Sequence, residues 1–144
     1  MRRFVLDCSV CAAWLFNEDW GGYPVAVLRE LDAGEAVVPA LWPDEVANAL
    51  VIAERRGRLS VPDVIRCLEM LSGLRVSIDS PPAMQVLDRL LPLARQHRLT
   101  AYDAAYLELA IRESVELATL DDVLRRAASA AGVSLFQIGA AGSP

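Results

Sequence analysis

Apolar residues fall along the chain in two kinds of run. Short unbroken runs, Phe4-Val5-Leu6 and Ala36-Val37-Val38, predict strands buried on both faces. The first spans residues 3–6 and stops at Asp7; the second stops at Pro39. Residues 75–79 alternate as a strand does, and 116–119 and 134–137 predict two more. Between them the spacing predicts helices over 10–17, 24–33, 43–56, 60–72, 83–97, 102–113 and 121–131. Boundary residues support these limits: Gly34 as a C-cap, Pro43 in a first turn, Gly57 and Gly132 as stops. Ser60 and Thr100 are candidate N-caps. Strands alternating with helices predict an α/β fold whose sheet is mostly parallel and covered on both faces. No repeat or linker interrupts residues 1–138, so one domain is expected, with 139–144 a frayed tail.

Composition narrows the chemistry. Hydrophobic residues make up 54%, which excludes disorder, and the apolar runs are too short to span a membrane. No signal peptide is visible, because Asp7 interrupts the run after Arg2 and Arg3; a cytoplasmic protein is the expectation. All 14 basic residues are Arg. A phosphate-binding P-loop and Schiff-base chemistry both require Lys, so neither operates here. His97 is the single His, which excludes a multi-His zinc site. The net charge of −5 counts against a broad basic nucleic-acid surface, though not against a site that a metal ion neutralises. Arginines cluster locally at Arg55, Arg56 and Arg58 and at Arg125 and Arg126; solvated helix ends explain them equally well. Cys8 and Cys11 form a C-x-x-C after a strand, a redox-motif context, but two small buried residues at a helix start explain it with less.

What remains is mostly carboxylate. Asp7, Glu45, Asp103 and Asp121 each stand where a strand or loop enters a helix. Singly, the last three read as first-turn acids that complement a helix dipole. Asp7 resists that reading because it closes an apolar strand. Asp103 lies in a largely apolar helix, a poor place for an unpaired charge. Glu45 and Asn48 share a helix face, and Thr119 and Asp121 stand two apart at a strand end. In a wound α/β fold such junctions converge at the carboxyl ends of the strands. An all-oxygen cluster suits Mg²⁺ or Mn²⁺, and points to metal-assisted cleavage of a phosphodiester.

Four segments carry a family resemblance: FVLDCSV, PALWPDEVANAL, LTAYDAAYLELA and LATLDDVLRRAASAAGV. In this order, and over nearly the whole chain, they resemble the PIN-domain nucleases, and among them the VapC-type toxins of bacterial toxin–antitoxin pairs. The resemblance implies a three-layer α/β/α sandwich with a central, mostly parallel sheet. It implies a ribonuclease dependent on Mg²⁺, with Mn²⁺ as substitute. The matching acids are Asp7, Glu45, Asp103 and Asp121, with Ser9 and Asn48 supporting them and Thr119 as the small polar residue before the last acid. Asp122 stands beside Asp121, which leaves a shared or exchanged role open. Cys8 departs from the pattern, where such proteins commonly carry Ala.

On this reading Asp7 and Asp103 are the principal metal ligands, and Glu45 and Asp121 complete the shell directly or through water. The implied partners are RNA, a cognate antitoxin that often brings an Arg near the acids, and a second copy of the chain. Trp14, Leu15, Phe16, Trp20 and Tyr23 are candidates for an apolar docking surface, with Trp14 and Leu15 expected in the core. Three other readings compete. One is a catalytically silent PIN-like module that binds a protein. Another is a phosphoryl-accepting receiver domain, which the missing Lys disfavours. The last is a thioredoxin-like oxidoreductase built on Cys8 and Cys11.

Overall fold

A computed structural model describes residues 1–138 of the chain; the expected tail, 139–144, lies outside them. Four parallel strands form the sheet: β1 (Arg3–Leu6), β2 (Glu35–Pro39), β3 (Val76–Asp79) and β4 (Glu116–Ala118), in the order β3-β2-β1-β4. Around it run α1 (Cys8–Leu15), α2 (Tyr23–Glu30), α3 (Trp42–Arg55), α4 (Val61–Ser72), α5 (Ala83–His97), α6 (Ala101–Glu113) and α7 (Asp122–Ala130). Helix α1 packs on α2 and α3, and α3 on α4. On the other side α6 packs on β1 and β2 and carries α5 and α7. The layers are therefore helix, sheet, helix, as expected.

The central strand explains why the sequence reads as it does. Phe4, Val5 and Leu6 of β1 are wholly buried, because helices cover both faces. Val37, Val38, Leu117 and Tyr106 complete the centre of the core. Chain order runs outward from β1 through β2 to β3, then returns to place β4 on the other side of β1. The order reverses between β1 and β4, and a crevice opens at such a reversal, beyond the carboxyl ends of the strands.

Three expectations are corrected. Residues 134–137 do not make a fifth strand. They add one parallel bridge, Leu117 to Leu135, with Phe136 donating its N–H to Leu117 O at 2.8 Å. The segment is held instead by rings, Phe136 lying 4.9 Å from Phe4. Helix α1 starts at Cys8 rather than at residue 10, so Asp7 is its N-cap residue. Gly34 does not cap α2, which ends at Glu30. It is small for another reason: an added Cβ there would fall 2.6 Å from Arg2 O and 2.9 Å from Glu30 O.

Ser60 and Thr100 do cap their helices, accepting the N–H groups of Asp63 and Asp103. Among the described residues no helix is long and apolar enough to cross a membrane.

Candidate active site

All four predicted acids come to the carboxyl end of the sheet. Asp7 follows β1, Asp121 follows β4, Glu45 lies in the first turn of α3 and Asp103 in the first turn of α6. Asp7 and Asp121 therefore flank the point where the strand order reverses.

Asp7 is almost completely buried and does not cap α1 with its side chain. Its Oδ2 accepts two hydroxyl hydrogen bonds instead, from Ser9 and from Thr119, each at 2.7 Å. Each hydroxyl has one proton and gives it to Asp7. Each oxygen also accepts a backbone N–H: Ser9 Oγ from Leu120 at 2.9 Å, Thr119 Oγ1 from Asp121 at 3.1 Å. Two hydroxyls thus tie the start of α1 to the end of β4 through one carboxylate. Thr119→Val removes one of these donors and orphans the N–H of Asp121. The expected cost is about 1–3 kcal/mol of stability, read by denaturant unfolding. A variant as stable as the parent would show the tie to be idle.

The acids sense one another. Burial, followed by repulsion from Asp121, holds the Asp7 carboxyl above the usual range, although both hydroxyls favour its anion. Burial raises Asp103, and Asp121 and Asp7 add to it. Burial raises Glu45, and Asp7 and Asp103 add to it. Elsewhere the acids near the sheet are relieved by arginines: Glu116 by Arg2 at 3.0 Å, Glu113 by Arg3 at 2.8 Å, Asp79 by Arg112 at 2.5 Å. Among the described residues none of the four site acids has such a partner.

The side chains are not drawn into a closed cage. Among the described residues no three His, Cys, Asp or Glu groups stand together as ready metal ligands. The reason is visible in their hydrogen bonds. Asp121 Oδ1 turns to accept the N–H of Leu124 and caps α7 at 2.9 Å. Glu45 Oε1 accepts the Tyr106 hydroxyl at 2.5 Å. Unbalanced anions turn to whatever donors are near. The donor set nevertheless fits a hard divalent cation: all oxygen, with three anions disfavoured as they stand.

The supporting residues divide. Ser9 and Thr119 serve Asp7 directly. Asn48 is exposed on α3, and among the described residues its amide makes no hydrogen bond to the acids. Asp122 is exposed too, while Asp121 caps the helix. Tyr106 was not foreseen; its signal is a Tyr one turn after Asp103 among Ala and Leu. Cys8 and Cys11 are free thiols. Burial, with Glu45 and Asp7 adding to it, pushes the Cys8 thiol up to about 12. A redox dithiol needs the opposite shift.

Of the aromatic candidates, Leu15 is buried and Trp14 is partly so, donating to Pro24 O at 2.6 Å. Tyr23 is tied to Phe136 O at 2.8 Å, Arg58 covers Phe16, and Trp20 is exposed.

The fold is a parallel α/β sandwich with an acidic crevice at its strand reversal. The chain belongs to the PIN-domain family, whose model matches residues 4–130. It is 32% identical over 119 residues to Ribonuclease VapC3 of Pyrobaculum aerophilum, covering 83% of this chain and 89% of that one. It is 30% identical over 118 residues to Ribonuclease VapC9 of Mycobacterium tuberculosis, covering 81% and 84%. Among solved structures, PAE2754 from Pyrobaculum aerophilum superposes with a TM-score of 0.65 at 27% identity, over 88% of this chain and 79% of that one. FitAcB from Neisseria gonorrhoeae shares the fold, with a TM-score of 0.60 at 20% identity over 94% and 97%.

Proposed function

We propose that this protein is a metal-dependent ribonuclease and the toxin of a toxin–antitoxin pair. One observation carries the chemistry: four acids that sense one another lie at the strand reversal, and among the described residues no arginine pairs with them. The relatives named Ribonuclease VapC3 and Ribonuclease VapC9 support the substrate and the role. Asp7 and Asp103 hold the cation, and Glu45 and Asp121 complete its shell directly or through water. Mg²⁺ is the proposed ion, with Mn²⁺ able to replace it. When bound, the ion supplies a water of lowered pKa and neutralises charge on the leaving oxygen. Ser9 and Thr119 hold Asp7 in place and favour its anion.

A cognate antitoxin is the proposed partner. An open groove of about 400 Å³ between α1 and α4 is lined by Trp14, Leu15, Leu59 and Met70, with Arg58 and Arg66 at its side. An amphipathic segment suits such a groove. A second copy of the chain is proposed as well. Val61, Ile65 and Leu68 on α4, and Met84, Leu87 and Leu91 on α5, are exposed at helical spacing, as a covered face would have them.

The test is RNA cleavage by purified protein with EDTA, then with Mg²⁺ or Mn²⁺ restored. The expected result is cleavage that EDTA stops and either ion restores. Intact RNA in millimolar Mg²⁺ or Mn²⁺, from protein shown to be folded, would favour a silent binding module.

A further inference from the structure

Tyr106 is completely buried on α6, yet it spends a polar group on the site. Its hydroxyl reaches across to α3 and donates to Glu45 Oε1. Packing alone does not call for that hydroxyl, since Leu107, Leu109 and Ala110 fill neighbouring buried positions with hydrocarbon. A buried phenol must find an acceptor, and here it finds a carboxylate from another helix.

Glu45 needs such an anchor. It lies on a helix face beside exposed Asp44, Ala47 and Asn48, with solvent within reach of a long side chain. Asp7 and Asp103 repel it from the crevice. Rotamer entropy favours its release too. We propose that Tyr106 is a positioning residue, holding Glu45 inward so that its free oxygen faces the cation site. The proposal rests on the metal-dependent reading above. Tyr106 uses one oxygen of Glu45 and leaves Oε2 to act. It also stands one turn from Asp103, so a single turn of α6 places one acid and anchors another.

The test is a double-mutant cycle read by calorimetric titration with Mn²⁺, independent of cleavage. The proteins are the parent, Tyr106→Phe, Glu45→Gln and the double variant. Tyr106→Phe is expected to weaken Mn²⁺ binding about 10- to 100-fold. In the Glu45→Gln background the same change is expected to matter by less than about twofold. A purely structural tyrosine would instead cost the same in both backgrounds, and that result overturns the proposal. So does parental affinity in Tyr106→Phe. Metal-free melting checks that the variants fold. Should Tyr106→Phe fail to fold, fluorotyrosine at 106 keeps the ring and strengthens its hydroxyl as a donor. Unchanged Mn²⁺ affinity on that replacement overturns the proposal equally. A parent that binds no Mn²⁺ removes the metal reading and this inference together; a parent that binds, with Tyr106→Phe its equal, removes this inference alone.

Discussion

Asp7→Asn is expected to fold and to cleave RNA at least about a thousandfold more slowly than the parent, a loss of ~4 kcal/mol of transition-state stabilisation. Two features make Asp7 the residue with most to lose. It is the buried acid of the four, and both Ser9 and Thr119 are spent on it. An amide of the same shape keeps the oxygen that accepts those hydroxyls, so the tie between α1 and β4 survives. What disappears is the negative charge, and with it one of the two proposed principal ligands of the cation. The measurement is kcat/KM at saturating Mg²⁺, with a melting curve beside it. Activity within tenfold of the parent would take Asp7 out of the chemistry. Asp103→Asn is expected to follow the same pattern.

The same substitution is expected to stabilise the metal-free protein at neutral pH, by about 1–3 kcal/mol. The sign follows from proton linkage. Asp7, Glu45 and Asp103 all hold protons more tightly folded than unfolded, mainly because of burial. Between the ordinary carboxylate range and the raised folded values, the native state carries the extra protons. Stability therefore falls as pH rises through that window, and the loss is complete above it. Metal-free protein should melt at its highest temperature in mild acid and lower at neutral pH. Asp7→Asn should flatten that slope. Mn²⁺ at a hundred times its dissociation constant should restore about 2.7 kcal/mol at neutral pH. A metal-free melting temperature that climbs steadily from mild acid to neutrality would contradict the picture.

The parts legible in the sequence were those that one residue type decides. A strand that is apolar at every position must be covered on both faces, so Phe4-Val5-Leu6 announced a parallel centre. An acid closing such a strand has no ordinary surface role, so Asp7 stood out. Ser60 and Thr100 capped where their hydroxyls predicted. Two of the misreadings depended on contacts distant in sequence. Gly34 looked like a helix stop, but its smallness serves Arg2, more than thirty residues earlier. Residues 134–137 read as a short strand, yet β4 is only three residues long and offers little edge to pair with. Asn48 shares the face of Glu45 at one-turn spacing, but that face turns towards solvent beyond Glu45. Tyr106 was hidden for the opposite reason. Among Ala and Leu it reads as core, which it is, and only the fold brings Glu45 to its hydroxyl.

The bond from Thr119 to Asp7 joins two residues that stand 112 apart in sequence. Synthesis delivers Asp7 long before Thr119. Until β4 emerges and docks beside β1, a nascent polypeptide has the acid without the hydroxyl and strand that fix it. The ribosome making this protein thus handles an unassembled weapon until the strand that completes it emerges.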